Sequence, residues 1–336
     1  MNNDIVTLAH GAGGSQTAEL IERVFRGHLG NPDFTPDDAA VLPVESRRIA
    51  FSTDGFIVSP WRFPGGNIGK LSICGTVNDL SCMGARPRWL SCAFVLEEGL
   101  SLSDLEEIVS AMGETARTAG VRIAAGDTKV ASRGQVDKVF ITTTGIGQLL
   151  PGAHAVGAAA RPGDAVIVTG DVGRHGCAIL LARGEFGIRA DVTSDCAPLW
   201  HLVEAAYGVT DDIHVIRDAT RGGVGTVLYE IARQSGVGIR IEADAVPVDD
   251  AVCGVCGMLG LDPLYLACEG RLVFFAPQER AGRLVGALRA LPHGERAAVI
   301  GQVVDGQAAG SVVVRTPIGA EAVLPRPTGE LLPRIC

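Results

Sequence analysis

The sequence predicts a two-domain α/β protein that ends in a flexible tail. Its 336 residues exceed what one core of ordinary size accommodates, at about 150 residues per domain. Short apolar runs alternate with helical patterns along both halves, which is typical of an α/β protein. Beyond residue 323 the text reads LPRPTGELLPRIC, with three prolines and no periodicity. Proline-rich segments of this kind form extended linkers.

The clearest element of the first half is a helix within NIGKLSICGTVNDLSCMGARP. Apolar residues recur there at spacings of three from Leu71 to Leu80, and Gly84 and Pro87 supply stop signals. The pattern after this helix predicts, in order, the strand RWLSCAFVL, a helix from near Ser103 to Gly120, and the strands VRIAAGDTKV and KVFITTTGIGQL.

A second unit opens at Arg161, where a Pro-Gly-Asp turn precedes the β-branched run of RPGDAVIVTGDVG. The apolar spacing of IRDATRGGVGTVLYEIARQSG predicts a helix. The other predicted elements are helices over 175–184 and 196–207 and the strands LACEGRLVFF and AAVIGQVV, with a helix between these two strands. We therefore place the domains at 1–155 and 156–322, followed by the tail at 323–336.

The charge distribution argues against a nucleic-acid partner. The net charge is −9 at pH 7 and no run of Lys or Arg occurs, whereas affinity for a phosphate backbone needs clustered cations. No apolar stretch approaches a membrane span, and the first residues lack the pattern of a signal peptide. The 9 cysteines are scattered over the chain, which indicates reduced thiols. We therefore expect a cytoplasmic protein without a membrane partner.

Four local motifs have ordinary structural explanations. GGNIGKLS is one residue short of the phosphate-loop template and has Leu71 where that template has Ser or Thr. The pair Cys253 and Cys256 lacks the second pair, or the histidines, that structural zinc requires, so burial is the more economical explanation. The glycine-rich turns HGAGG and TRGG offer main-chain N–H groups that suit phosphate, although a tight turn explains each of them more simply.

A set of isolated aspartates is more informative. Asp38, Asp54, Asp79, Asp127 and Asp218 each lie in apolar or glycine-rich surroundings. A turn or a helix cap explains any one of them. Carboxylates that converge from several elements, however, are what Mg²⁺ needs when it shares a site with nucleotide phosphates.

Two pairs of charged residues are predicted to share a strand face, because side chains alternate along a strand. Asp127 and Lys129 project together, so a metal-binding carboxylate and an ammonium directed at phosphate or substrate can cooperate. Glu269 and Arg271 share a face by the same rule. The alternative for the second pair is an exposed ion pair that contributes little free energy.

The sequence ends on PRIC, with Cys336 as its last residue. Termini are commonly disordered, which by itself makes this cysteine incidental. Its context favours a functional role for the thiol, because the prolines stiffen the tail. At about 3.3 Å per extended residue, the tail could carry the thiol up to about 40 Å. The adjacent α-carboxylate disfavours the thiolate, and Arg334 partly offsets this repulsion.

These motifs follow one another as they do in a known family. The chain resembles the HypE family, the carbamoyl dehydratases of NiFe-hydrogenase maturation, from His10 to Cys336. The resemblance is carried by HGAGG, DAAVL, STDGF, FPGGNIGKLSICGTVNDLSCMGARP, AGDTKV, SDCAPL, RDATRGGVGTVLYEIA, CEGRL and the terminal PRIC. The carboxylate motifs alone are similar to the wider superfamily of aminoimidazole ribonucleotide synthetase, selenophosphate synthetase and thiamine-phosphate kinase.

The resemblance implies a fold, cofactors and site residues. Chains of that superfamily have two α/β domains, and the N-terminal domains pair across a homodimer in a barrel-like interface with ATP and Mg²⁺ in the cleft. Residues 1–155 are then the ATP-binding and dimerisation domain. The resemblance assigns Asp38, Asp54, Asp79 and Asp127 to Mg²⁺ and the nucleotide, Asn78 and Thr128 to the nucleotide, Lys129 and Glu269 to dehydration, and Cys336 to the carried group.

The resemblance also implies a reaction. The partner HypF loads a carbamoyl group onto Cys336 as a thiocarbamate, ATP activates its oxygen, and loss of phosphate leaves a thiocyanate. The cyanide then passes to iron on the HypC–HypD complex. Glu269, or Lys129 if it is buried, is the implied base. Two alternatives remain: another ATP-dependent kinase or synthetase of the superfamily that acts on a free small molecule, and a non-catalytic maturation carrier.

Four positions depart from the pattern expected of the family. Cys268 stands where Asn is expected, Arg271 where Lys is frequent, Tyr229 where Asn is expected and Arg174 where an acidic residue is common. Cys268 matters most because it precedes the implied base Glu269. In a regular strand the two side chains project from opposite faces, whereas a bulge would bring the thiol into the site.

Overall fold

Two sheets carry the fold, and they belong to the two halves of the chain. The structure is a computed structural model that describes residues 5–7, 10, 19–32, 44, 48–305 and 309–325. Asp38, Cys336 and the HGAGG turn beyond its first residue lie outside the described residues. The mixed α/β architecture in two domains confirms the predicted fold class.

The first sheet has four long strands. The strands of this half are β1 (Ile49–Phe56), β2 (Arg62–Phe63), β3 (Gly66–Asn67), β4 (Ala85–Glu97), β5 (Arg122–Ala131) and β6 (Val139–Leu149). The sheet has the order β1–β6–β4–β5, and β2 pairs with β3 in a separate ribbon. Only the pair of β4 and β5 is parallel in this sheet. Strands β1 and β5 are its two edges.

Helix α1 (Ile68–Cys82) packs between the first sheet and helix α2 (Leu102–Ala119). The Asn67 side chain caps α1 by accepting the Lys70 N–H over 3.1 Å. Nearly every residue of α1 is buried, because α1 also contacts the second half of the chain. Gly69 allows the closest approach, since a Cβ there would lie 2.1 Å from the Ile108 carbonyl oxygen. The helix confirms the prediction for this segment.

Helix α2 has the start and end that its sequence predicts. The Ser101 hydroxyl accepts the Asp104 N–H over 3.0 Å, and Gly120 ends the helix in the left-handed region at φ 68°. Its buried stripe, which includes Leu105 and Met112, packs into the hydrophobic core of the first half of the chain. Nowhere in the described part of the chain is a helix both long and apolar enough to cross a membrane.

The second sheet has seven strands. They are β7 (Asp164–Val168), β8 (Val215–Asp218), β9 (Gly238–Glu242), β10 (Leu272–Pro277), β11 (Ala298–Val304), β12 (Val312–Arg315) and β13 (Glu321–Val323). Their order is β13–β12–β9–β11–β7–β10–β8. The helices of this half are α3 (Arg174–Arg183), α4 (Trp200–Val209), α5 (Gly223–Ser235), α6 (Asp250–Leu259) and α7 (Gln278–Arg289). Every residue of β7 is buried, as expected for a central strand covered on both faces.

The segment before β10 is not a strand, which corrects the prediction for LACEGRLVFF. The strand begins only at Leu272. Upstream, the Glu269 N–H donates to Asp195 Oδ1 over 3.2 Å, and the Ala197 N–H donates to the Glu269 carbonyl over 3.4 Å. A Cβ at Gly270 would come within 1.8 Å of the Asp195 carbonyl oxygen. The chain therefore passes so closely beneath residues 195–197 that main-chain groups pair with that segment.

Asn78 joins the two halves of the chain. Its Nδ2 donates to the carbonyl oxygens of Ala197 over 3.0 Å and Glu269 over 3.3 Å, and its Oδ1 accepts the Leu199 N–H over 2.9 Å. These bonds hold the segment before α4 in a non-helical conformation. The helix predicted from residue 196 therefore begins at Trp200.

Replacing Asn78 with Ala is expected to lower the free energy of unfolding by about 2–4 kcal/mol, because three buried main-chain groups lose their hydrogen bonds to the amide. The midpoint of urea unfolding checks this. Thr118→Ala is the matched control, since it removes an exposed hydroxyl that bonds to the Glu114 carbonyl, with an expected change below about 0.5 kcal/mol. Equal midpoints for the two variants would show that other contacts hold the halves together.

Candidate active site

Three aspartates from different elements form an acidic cluster where the two halves of the chain meet. Asp54 comes from β1, Asp79 from α1 and Asp218 from the end of β8. Ser52 Oγ donates to Asp79 Oδ2 over 2.7 Å. The structure thus places Asp218 beside Asp54 and Asp79, two of the four aspartates that the family resemblance assigns to Mg²⁺.

The pKa of each carboxyl in the acidic cluster is raised. For Asp54 the first cause is burial and the second is the charge of Asp79, and for Asp79 the cause is burial. Burial and then the charge of Asp79 raise the pKa of Asp218 from 3.8 to about 7. Arg221 offsets part of this for Asp54 and Asp79. Carboxylates that repel one another in this way are stabilised by a bound cation.

Asp218 is expected to make the free energy of unfolding fall as the pH rises from about 4 to about 7. Its folded pKa of about 7 lies above the ordinary 3.8, so the stabilisation is complete below the lower value and is lost as the pH passes the higher one. Asp218→Asn, which cannot ionise, should exceed the original protein by roughly 2–4 kcal/mol at pH 8 and match it near pH 4. Urea unfolding across this pH range measures the difference. Asp305→Asn, at an exposed position, is the control, and an unchanged pH profile in Asp218→Asn would contradict the assignment.

Glu269 lies between the acidic cluster and two buried neighbours, Asp195 and Cys196. Its side chain is only 4% exposed. Burial raises the pKa of Glu269 well above its usual range, and the nearby Cys196 and Asp218 raise it further. Such a carboxyl keeps its proton where a surface glutamate is ionised, and it is a strong base once the proton has left.

A cavity of about 370 Å³, here called the interdomain pocket, opens beside the neighbours of Glu269. Lys70 of α1 lines it on one side, and Asp195, Cys196 and Arg271 line it on the other. Asp195 Oδ2 is buried and has no hydrogen-bond partner within the described chain, and burial raises the pKa of this carboxyl. Sequence reasoning missed Asp195 as a candidate, although it lies within the SDCAPL motif.

Arg271 does not form the exposed ion pair with Glu269 that the sequence allowed. It is buried, and its Nη2 and Nε donate to Asp171 Oδ1 over 2.6 Å and to the Asp171 carbonyl over 2.8 Å. Arg174 Nε also donates to the Asp171 carboxylate. Burial alone would raise the pKa of Asp171, but the two guanidinium groups hold it below its ordinary value. Two positions that depart from the family pattern therefore meet on one carboxylate.

Cys268 points away from Glu269 into the core of the second half. It is fully buried in the same apolar cluster as Val166 and Val273, and its Sγ accepts the Gly173 N–H over 3.1 Å. The thiol therefore does not enter the candidate site. On α6, Cys256 is buried as the sequence predicts, whereas Cys253 is exposed, so the prediction of burial was wrong for Cys253.

Asp127 lies on the opposite face of the first sheet from Asp54. Asp54 is paired with Thr143, and the register continues through Cys92 to Gly126. Asp127 follows Gly126, the residue in register with Asp54, by one position. Side chains alternate along a strand, so the two carboxylates project from opposite faces. The two strands are also three spacings apart, or about 14 Å. One chain therefore does not bring Asp127 to the acidic cluster.

Lys129 and Asp127 share the outer face of β5, as the strand period predicts. Lys129 Nζ lies 2.9 Å from Asp127 Oδ1, and this hydrogen bond lowers the pKa of Asp127. The Thr128 N–H donates to the same oxygen over 2.9 Å. The Lys129 side chain is 68% exposed, so the burial under which it would serve as a base is not met within one chain.

The acidic cluster has the donor chemistry that suits Mg²⁺. No group of three or more His, Cys, Asp or Glu side chains in the described ranges is arranged to hold a metal unaided. Mg²⁺ usually keeps several waters and shares phosphate oxygens, so one or two carboxylates suffice. Asp54 and Asp79 meet that requirement.

The two halves of the chain match the two domains of one protein class. Residues 36–149 match the model of the N-terminal domain of AIR synthase related proteins, and residues 161–314 match the model of the C-terminal domain. A thiamine-monophosphate kinase from Stenotrophomonas maltophilia, 23% identical, shares the fold with a TM-score of 0.66 over 89% of this chain and 95% of its own. The fold and the carboxylates between the domains thus define an AIR synthase related protein.

Closer relatives narrow the class. Carbamoyl dehydratase HypE of Rhodobacter capsulatus is 47% identical over 340 residues, covering 100% of this chain and 99% of the relative. The Escherichia coli protein of the same name is 44% identical and is covered completely. The crystal structure of hydrogenase maturation protein HypE in complex with ATP has a TM-score of 0.93 at 49% identity, covering 98% of this chain and 99% of that one. The chain belongs to the HypE family.

Proposed function

We propose that this chain is an ATP-dependent carbamoyl dehydratase that acts on a thiocarbamate carried by its own Cys336 and serves the maturation of NiFe-hydrogenase. Full-length relatives with that name and a related structure in complex with ATP support the proposal. The observation that carries it is Glu269, a buried carboxyl with a raised pKa between the acidic cluster and the interdomain pocket. A dehydratase must remove N–H protons, whereas simple phosphoryl transfer to a phosphate does not.

Asp54 and Asp79 are the residues that would hold Mg²⁺ against the phosphates of ATP, and Asp218 lies beside them. Mg²⁺ would supply charge neutralisation for phosphoryl transfer there. Asp38 remains a predicted ligand outside the described residues. Asn78 supports the site indirectly in this proposal, since its amide bonds to the Glu269 carbonyl and holds the base in place.

Two copies of the chain complete the site in this proposal. The outer face of the first sheet carries Asp127 and Lys129 together with small or exposed side chains, including Ala93, Thr142 and Phe51, which is 68% exposed. An exposed sheet face with an apolar side chain of this size suits pairing with another chain. In a two-fold homodimer each chain gives Asp127 and Lys129 to the acidic cluster of the other.

The proposed reaction has two steps. The thiocarbamate oxygen takes the γ-phosphoryl group of ATP, ADP leaves, and the nitrogen loses one proton. The C–O bond then breaks, phosphate leaves, and loss of the second N–H proton completes the C≡N bond of the thiocyanate. Glu269 accepts each proton in turn and releases it through the interdomain pocket. Exclusion of water protects the activated carbon from hydrolysis.

HypF is the proposed carbamoyl donor, and the HypC–HypD complex is the proposed cyanide acceptor. A crystal structure of a HypE–HypF complex matches this chain with a TM-score of 0.81 at 43% identity, which supports the first partner. The cysteines of the described residues are free, which suits the reducing cytoplasm.

Mass spectrometry of the C-terminal peptide tests the proposal after incubation with HypF, carbamoyl phosphate and ATP. We expect a peptide heavier by one cyano group, with ADP formed only when Cys336 is carbamoylated. Cys253→Ala, at an exposed cysteine, should leave the modification unchanged. Modification that persists in Cys336→Ala would refute the carrier role, and ATP turnover on a free small molecule would favour another activity of the class.

A further inference from the structure

An apolar groove of about 350 Å³ lies in the second half of the chain, outside the candidate active site. Its walls include Ile241, Val246, Val248, Leu264, Val314 and Val323. Val323 is 68% exposed, which is unusual for a large apolar side chain beside other apolar groups. The proposed reaction does not use this apolar groove.

The last described residues lie at the edge of the apolar groove. Leu324 and Pro325 form part of its lining. The Tyr229 hydroxyl donates to the Leu324 carbonyl, and the Tyr265 hydroxyl donates to the Pro325 carbonyl. These two bonds fix where the chain leaves the sheet and in which direction. Tyr229, which departs from the family pattern, therefore anchors the root of the C-terminal segment.

The segment that follows carries a suitable apolar group at a suitable distance. Leu331 and Leu332 are its only two adjacent large aliphatic residues, and Leu331 is six residues beyond Pro325. At about 3.3 Å per residue this link spans up to about 20 Å. Because Pro325 itself lines the groove, so short a link gives the two leucines a high effective concentration there.

The charges agree with this placement. Asp262 lines the apolar groove, and Arg326 directly follows Pro325. A carboxylate on the wall of the groove attracts a cation on the segment that approaches it.

We propose that the apolar groove binds the Leu331–Leu332 pair of the chain's own C-terminal segment. The docking needs neither ATP nor a carbamoyl group, so it stands or falls separately from the proposed function. The docking would also bring Cys336 towards the interdomain pocket, and this part of the proposal rests on the proposed function. The Val248 carbonyl and the Asp249 carboxylate accept bonds from Arg296 and Arg174, which line the interdomain pocket. The groove wall at Val248 is thus linked to that pocket, and docking of Leu331 and Leu332 would hold the last four residues of the chain near both.

Cleavage after Glu330 by a glutamate-specific protease tests the docking, because the bond joins Glu330 to the first docked leucine. Mass spectrometry follows the loss of the peptide LLPRIC. We expect Val323→Asp to speed this cleavage about tenfold, since a charge in the groove opposes burial of leucine. Ile318→Asp is the matched control, because Ile318 is 90% exposed on the same hairpin and outside the groove. Equal rates for the two variants would overturn the proposal.

Hydrogen exchange provides a second measurement. A chain shortened after Glu330 should exchange faster at residues 243–248 and 322–324 than the full chain, and added peptide GELLPRIC should restore the protection. Protection that is unaffected by the shortening, or that rises with protein concentration, would assign the groove to a second copy or to no occupant and would refute docking of the tail.

Discussion

Glu269→Gln is expected to slow dehydration about 1000-fold, which is the usual contribution of a positioned base, while Cys336 is still carbamoylated. The amide has the shape of the carboxyl but cannot accept the N–H protons. Because burial raises the pKa of Glu269 well above its usual range, the site favours the neutral acid over the carboxylate, so a neutral amide of the same shape should leave the fold intact. Single-turnover mass spectrometry should find the carbamoyl form of the C-terminal peptide accumulating.

The pH profile separates a proton acceptor from a structural residue. In the original protein the rate should rise with pH as Glu269 ionises, and this rise should be absent from Glu269→Gln. Glu295→Gln is the control, since Glu295 lines the interdomain pocket but is exposed. Normal dehydration by Glu269→Gln, or an unchanged pH profile, would remove Glu269 from its proposed role.

Mixing two inactive variants is expected to restore activity, which is the second large effect. Asp79→Asn damages the acidic cluster, and Lys129→Ala damages the opposite face of the first sheet. Each variant alone should lose at least about 100-fold in rate, the usual cost of a missing charge at a phosphoryl-transfer site. If two chains complete each site, exchanged subunits should recover about a quarter of the original activity, because half of the dimers are mixed and each has one intact site. Steady-state ADP release on carbamoylated protein measures the recovery.

The matched control mixes two variants on the same side. Asp54→Asn and Asp79→Asn both damage the acidic cluster, so no mixed dimer has an intact site and no recovery is expected. Recovery there, or its absence from the first mixture despite confirmed subunit exchange, would show that each site is made by a single chain.

Local patterns in the sequence predicted the first half well. Helices α1 and α2 were predictable because apolar spacing, capping residues and the glycine stop are all local signals. Strands β4, β5 and β6 of the first sheet were predictable for the same reason. The position of Asp127 relative to Asp54 was not, since it depends on strand order and register, which local spacing does not report.

The surroundings of Glu269 show a second limit. The alternation rule made it the partner of Arg271, but Gly270 lies against the Asp195 carbonyl, and this contact between distant segments removes the regular strand. Nothing in the local sequence around Asp195 indicates that its side chain is buried. Asp218 was visible as an isolated carboxylate, yet its pKa is raised first by burial and then by the charges of Asp79 on α1 and Asp54 on β1, none of which local spacing reports.

Asn78 and Asp79 are consecutive residues of α1 with different tasks. Asn78 holds the Glu269 main chain and the segment before α4, while Asp79 belongs to the acidic cluster. A rotation that parted the two domains would therefore move Glu269, the proposed base, away from Asp79, a proposed Mg²⁺ ligand, and would break buried hydrogen bonds at the same time. Opening of the two domains by a hinge rotation is therefore not a suitable way to admit the reactant. In the proposed function the reactant is carried on Cys336 at the end of a single chain segment, and a single segment can enter while this junction stays closed.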